Sequence, residues 1–209
     1  MIDVRHHIND VRRAVGTRTL AAGEARVLAI SQVYDTDVDD LWEVVTSPER
    51  ISRWFLPVEG ELTEGGKYQI TGNAGGTITR CDKPNGYAAT WEFGDQTSWI
   101  EVRLTPEGTG TRFELEHVAH VADEFWDQYG PGALGIGWDG ALYGLANHLT
   151  DASAVPDAET LAAWPMTEEG RTFYRLSADA WAAATIANGD DPKAATESAD
   201  RSYAFYTGG

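Results

Sequence analysis

Only one cysteine, Cys81, occurs in the 209 residues, so neither an internal disulfide nor a thiolate metal cluster can form within one chain. Long uncharged apolar runs are absent, and the opening residues, from Met1 to His7, carry no apolar stretch of the signal-peptide kind. The expectation is a cytoplasmic, soluble protein with no membrane insertion. Basic residues are scarce: 16 Lys and Arg stand against 33 Asp and Glu, a formal charge of -17. That balance repels polyphosphate backbones and anionic lipids, which argues against nucleic acid as a partner. The densest basic stretch, Arg12 and Arg13 through Arg18, is short and interrupted and reads as a solvated face.

Several chemistries also lack their motifs. There is no Gly-x-Ser-x-Gly elbow, and nothing around Cys81 marks it as a nucleophile. His117 and His120 lie three apart and His6 adjoins His7, yet no cysteine or convergent acid completes a zinc set. The run Gly130-Pro131-Gly132-Ala133-Leu134-Gly135 has the spacing of a dinucleotide loop, but it follows no clear strand and opens no βαβ alternation. Neither a metal nor a cofactor is expected.

What is present describes a folded chain: 42% apolar residues, with 8 Trp, 8 Tyr and 6 Phe. Residues 1–26 read as a lead, a short helix with Ile8, Val11 and Val15 at helical spacing, then a glycine-punctuated turn. Residues 27–34 form a β-branched strand. Thr36 is placed to cap a helix with Asp37, Asp39 and Asp40 in its first turn and Val38, Leu41, Trp42 and Val45 on its buried face. Ser47 and Pro48 start a second short helix through Arg53.

Across residues 58–118 the period becomes two, with turn clusters such as Gly65-Gly66, Pro84-Asn85-Gly86 and Gly94-Asp95 separating six strands. Alternation puts Tyr68 and Ile70; Tyr87, Ala89, Trp91 and Phe93; Ile100, Val102 and Leu104; and Phe113, Leu115 and His117 on one face. Glu92, Glu101, Arg103, Arg112, Glu114 and Glu116 point the other way. An antiparallel sheet with an aromatic face needs a cover, which a helix over residues 138–149 supplies through Leu142, Leu145, Ala146 and Leu149. Gly137, Gly140 and Gly144 in that stretch each cost about 1 kcal/mol relative to alanine. They must provide space, either for close packing of helix on sheet or for a cavity between them.

The order of these elements carries a resemblance. Ser47-Pro48-Glu49-Arg50 before Trp54-Phe55, then Thr90-Trp91-Glu92-Phe93, Leu115-Glu116-His117 and Gly135-Ile136-Gly137-Trp138, resemble the SRPBCC (START/polyketide cyclase-like) superfamily. The chain is most similar to the branch named for activators of heat-shock-chaperone ATPase. The resemblance covers residues 27–150 and implies the α+β helix-grip (START-like) fold, a curved antiparallel sheet wrapped around a long C-terminal helix. It also implies binding of a small, largely hydrophobic ligand in a cavity between sheet and helix.

On that reading the ligand-binding residues are Trp54, Phe55, Tyr68, Trp91, Phe93, Phe113, Leu115, His117, Trp138 and Leu142. No catalytic residue is assigned, and ligand binding is favoured over catalysis. His117 serves either as a satisfied, half-buried structural residue or as a polar anchor at the pocket mouth. A cyclase or aromatase-type enzyme acting on an apolar aromatic substrate is the second hypothesis, and a chaperone-binding or other protein-interaction module the third.

Residues 151–209 lie outside the resemblance. Residues 152–165 read as a linker. A helix over 167–187 stops at Asn188-Gly189, and another capped by Asp191-Pro192 runs to Tyr206. Their aromatic side chains, among them Phe173, Trp181 and Tyr206, must be buried on the grip domain or on a partner subunit, which makes these helices the place for a homodimer.

Overall fold

The computed structural model describes residues 2–153 and 158–208. Its centre is one antiparallel sheet of eight strands: β1 (Arg12–Leu20), β2 (Gly23–Tyr34), β3 (Val58–Gly60), β4 (Lys67–Ile70), β5 (Gly75–Asp82), β6 (Gly86–Phe93), β7 (Gln96–Glu107) and β8 (Gly110–Ala119). Their order across the sheet is β1-β2-β8-β7-β6-β5-β4-β3. The meander from β3 to β8 is a chain of hairpins. β2 alone reaches across, pairing with the last strand so that Leu28 faces His117 and Ile30 faces Leu115.

Helices fill one side of the sheet. α1 (Val4–Asp10) precedes β1; α2 (Val38–Thr46) and α3 (Pro48–Ile51) separate β2 from β3; α4 (Asp123–Tyr129) leads into the long α5 (Gly132–Thr150). α6 (Ala158–Ala163) follows, then a 3-10 turn over Trp164–Met166, then α7 (Glu168–Ala187) and α8 (Pro192–Thr207). This is the α+β helix-grip architecture. The opposite, wet face carries ion pairs of Arg80 and Arg103 with Glu101, at 2.6 and 3.2 Å, and of Arg103 with Glu114 at 3.3 Å. Pairs this exposed contribute between nothing and about 1 kcal/mol each.

Several local expectations need correction. The lead is not a helix through Val15: α1 stops at Asp10, and residues 12–20 form an edge strand whose Val15 pairs with Leu28. The helix after β2 is capped by Asp37, which accepts from the Asp40 N–H, while the Thr36 hydroxyl bonds the Asp40 side chain instead. Within the expected linker, residues 158–165 are helical, the last two in a 3-10 turn that runs on to Met166, and residues 154–157 lie outside the described residues. α5 begins six residues earlier than its apolar stripe suggested, because its first turns carry glycines rather than large apolar side chains.

Those glycines make room for other elements. A Cβ on Gly135 would lie 2.3 Å from the Trp181 ring, and one on Gly132 would lie 2.8 Å from the Ser202 hydroxyl. The nucleotide-like spacing of Gly130 to Gly135 is thus a packing seam for α7 and α8. Trp181 is fully buried there, Ser202 donates to the Tyr129 carbonyl at 2.7 Å, and Tyr206 donates to the Ala133 carbonyl at 3.0 Å. The C-terminal helices pack on the grip domain of their own chain.

Arg13 is also not a surface residue. Its side chain is only 5% exposed and pairs with Asp139 of α5, which is completely buried. Asp139 also accepts from the Ser177 hydroxyl and from the Trp181 indole N–H at 2.9 Å. One carboxylate therefore ties the N-terminal edge strand, the central helix and α7 together. Burial pushes its carboxyl up from the usual carboxylate range, against the opposing pull of Arg13 and the two side-chain donors.

Candidate functional site

Beneath α2, α3 and the loop that follows them lies an apolar cavity of about 100 Å³. Its floor is the β4 to β8 part of the sheet, through Tyr68, Ile78, Tyr87, Trp91, Ile100, Phe113 and Leu115; its roof is Trp42, Val45, Ile51, Trp54, Phe55 and Leu62. The long helix reaches it through Trp138 alone. The space is thus roofed mainly by the short helices, and less by α5 than the helix-grip pattern suggested. Asp, Glu, His, Lys and Arg are all missing from the lining.

Seven of the ten residues singled out from sequence, Trp54, Phe55, Tyr68, Trp91, Phe113, Leu115 and Trp138, line this space. Three do not. Phe93 is 60% exposed, because it is the last residue of β6 and the turn at Gly94 carries it beyond the covering helices. Leu142 is buried one turn further along α5, where its carbonyl accepts from the Tyr34 hydroxyl at 3.4 Å. His117 is 2% exposed and stands behind Trp138, not at a mouth.

The hydrogen bonds of His117 define what it does. The Trp138 indole N–H donates to His117 Nδ1 at 3.1 Å, so that nitrogen is the unprotonated one. Nε2 then carries the proton and donates to the Ser98 hydroxyl at 2.8 Å, which in turn donates to the Trp91 carbonyl at 3.0 Å. Burial lowers the imidazole to about 4, keeping it neutral. Trp138 and Trp91 are both fixed by this relay, with ring centroids 5.1 Å apart, and Phe55 stacks on Trp138 at 6.3 Å. His117 therefore positions the aromatic wall without touching the cavity.

Gly144 shapes the roof. A Cβ there would lie 2.2 Å from the Trp54 carbonyl, so this glycine lets the turn that follows α3 settle directly on α5. Trp54 is further held by donating its indole N–H to the Val44 carbonyl at 3.1 Å.

The lining residues that sequence reasoning did not single out are chiefly those of the roof, Trp42, Val45 and Ile51, together with Cys81 and Tyr87. Trp42 and Val45 were already on the expected buried face of α2, and Ile51 lay in the expected second helix, but periodicity gives no sign of what those helices cover. For Cys81 the obstacle is a register shift in β5 between Ile78 and Arg80. Strict alternation from Ile78 would turn Arg80 inward; the bulge turns Cys81 inward instead, opposite Tyr87.

Residues 35–150 match the family described as Activator of Hsp90 ATPase homolog 1-like protein. The crystal structure of CalU16 from Micromonospora echinospora is 35% identical, with 84% of this chain and 98% of that one covered and a TM-score of 0.61. Its solution structure gives 34% identity, 86% and 97% coverage, and a TM-score of 0.69. Protein MLL2253 from Mesorhizobium loti, at 20% identity over 61% of this chain and 98% of that one, with a TM-score of 0.54, shares the fold. No curated protein matches. Among the described residues, no helix is long and apolar enough to cross a membrane, and no cluster of His, Cys, Asp and Glu is suited to a metal ion. By the extent of the match and the agreement of the fold, the chain belongs to the Activator of Hsp90 ATPase homolog 1-like family.

Proposed function

We propose that this protein binds a small, largely apolar molecule in the cavity roofed by α2 and α3. The observation that carries the reading is the wall of Trp54, Phe55, Trp91 and Trp138, of which His117 and Ser98 fix Trp138 and Trp91, around a space that no Asp, Glu, His, Lys or Arg lines. Aromatic surfaces held rigid in this way lose little entropy on binding, and burial of ligand surface contributes about 25 cal/mol per Å². The cavity lies below the range of about 300 to 1,000 Å³ usual for drug-sized ligands, so the ligand is compact or the roof moves outward to admit it. A cyclase or aromatase-type reaction has less support, because proton transfer needs an acid or base within reach of the substrate and the lining offers only phenols and a thiol.

Native mass spectrometry of the purified protein, read for a retained small molecule, tests this. It is paired with titration by apolar aromatic compounds, read by tryptophan fluorescence. A saturable change is expected, since Trp54, Trp91 and Trp138 all border the space. An apolar library that leaves both fluorescence and melting temperature unchanged, with no retained molecule, would overturn the reading.

A further inference from the structure

The cavity is chemically uneven. On the wall made by Trp54, Trp91 and Trp138, two of the three indole donors are used internally, by the Val44 carbonyl and by His117. Among the hydroxyl groups of the lining, Thr46 donates to the Trp42 carbonyl at 2.6 Å and Tyr68 to the Thr90 carbonyl at 2.7 Å. Tyr87 is different: its hydroxyl has no hydrogen bond among the described residues, although burial lifts it to about 12. Its proximity to Tyr68, whose ionisation it opposes, places the two phenols within electrostatic reach of each other.

Tyr87 is directly paired across the strands with Cys81, and both side chains line the space. Trp42 stands edge-on to Tyr87 with centroids 6.3 Å apart, and its indole N–H has no partner among the described residues. Tyr87, Cys81 and Trp42 thus adjoin one another on the lining of an otherwise apolar space. The Tyr87 hydroxyl and the Trp42 N–H are not sealed from solvent, so an acceptor brought in by a ligand would take the place of water there, at a net gain of about 0.5 to 1.5 kcal/mol per hydrogen bond. A ligand donor or cation would meet no carboxylate there.

Taking the cavity as the binding site, we infer that Tyr87, flanked by Cys81, reads a carbonyl oxygen on a compact aromatic ligand whose ring lies against Trp91 and Trp138. A dry cavity of about 150 Å³ accommodates benzene, so a space of about 100 Å³ takes a single substituted ring when the roof of α2 and α3 moves outward. Tyr87 is a specificity-determining residue in this assignment, and the ligand class is an aryl ketone or aldehyde.

Acetophenone and ethylbenzene test it, because they share a skeleton and differ in the carbonyl. Both are titrated against the full-length protein and its Tyr87→Phe variant. The expected result is a loss of about 3- to 10-fold in acetophenone affinity on Tyr87→Phe, the scale of one hydrogen bond, with ethylbenzene affinity unchanged. Binding of neither compound by the unaltered protein would overturn the cavity as a binding site, and this assignment with it. Binding of both, with Tyr87→Phe changing neither or changing both equally, would overturn the role of Tyr87 alone. Should Tyr87→Phe fail to fold, the infrared carbonyl band of acetophenone bound to the unaltered protein decides: a shift to lower frequency than in hydrocarbon solvent is expected, and a band at the hydrocarbon position would overturn the assignment.

Discussion

Arg13 grips the buried carboxylate of Asp139 with two prongs, Nε lying 3.0 and 3.1 Å from the two oxygens and Nη2 lying 2.7 Å from Oδ1. The same guanidinium donates to the carbonyls of Ile8 and Val11 at 3.1 and 3.0 Å, so the end of α1 is fixed to α5 through one side chain. Removing one partner of such a pair strands the other in a medium that cannot solvate it.

Arg13→Met is accordingly expected to lower stability by about 3 to 5 kcal/mol in urea unfolding. Adding Asp139→Asn removes the stranded charge and keeps an acceptor for Ser177 and Trp181. The double variant should therefore be more stable than Arg13→Met alone. A double variant as unstable as the single would show that the charge pair is not what holds this junction.

Acid should loosen the fold through two histidines. Both His7 and His117 are held at about 4, His7 by burial among Val4, Ile8, Tyr143 and Phe173 and by the nearby Arg13. With an unfolded value near 6.5, the unfolded chain takes up these protons first. Stability is fully present above about pH 6.5 and is lost as pH falls towards 4. A shift of this size corresponds to about 3 kcal/mol per histidine. His7→Phe should flatten the fall of melting temperature between pH 6.5 and 4.5; an unaltered slope would count against a neutral, buried His7.

The relay through His117 makes a further quantitative test. His117→Phe leaves the Trp138 indole N–H without an acceptor, and a loss of about 1 to 3 kcal/mol is expected. Trp138→Phe in the same background removes the stranded donor, so the two changes should be less costly together than the sum of each alone. Strict additivity in chemical denaturation would mean that the two side chains do not communicate.

The glycine seams predict where a single methyl group is intolerable. Gly135→Ala pushes on the buried Trp181 ring and Gly144→Ala on the Trp54 carbonyl. Both should lower the melting temperature, and Gly144→Ala should in addition change ligand titrations, because Trp54 is part of the cavity roof. Gly140→Ala, which meets nothing within 4 Å, is the control and should be neutral or slightly stabilising. A Gly140→Ala variant as damaged as the other two would refute the packing argument.

Truncation after Asp151 should likewise reduce solubility and melting temperature, since Trp181 and Phe173, both fully buried against α1 and α5, would no longer cover their partners. A truncated chain as stable and soluble as the whole would remove the structural role of α7 and α8.

Much of this architecture could be read from residue order. The period of two across residues 58–118 and the turn clusters between the strands specify six consecutive hairpin-linked strands, because burying one face fixes register. The two C-terminal helices were equally plain: Asp191 accepts a backbone N–H as the expected cap, and Thr167, expected as the first helical residue, is itself a cap that accepts from the Gly170 N–H. The edge strand β1 was not legible. Its pattern of Arg, Thr and Gly lacks an apolar face, and pairing with β2, not burial, is what makes it a strand.

The site divides in the same way. Aromatic residues on the sheet face were identifiable from alternation. Arg13 and Asp139 were not, because a charged residue in a strand and another in a helix look like surface until the fold brings them together across 126 positions of sequence. Phe93 misled for the opposite reason, since alternation continues to the end of a strand whereas the cover above it does not.

The Asp139 junction also governs the order of events on the ribosome. The sheet can close once residue 119 has emerged, and Arg13 is available from the beginning. Ser177 and Trp181, however, are still unmade when Asp139 first approaches the interior, and Gly135 then faces a gap that only an indole ring fills. A nascent chain that has emerged only to residue 150 should hold a formed sheet beneath a central helix that is not yet seated, and only emergence past residue 181 lets that helix lock.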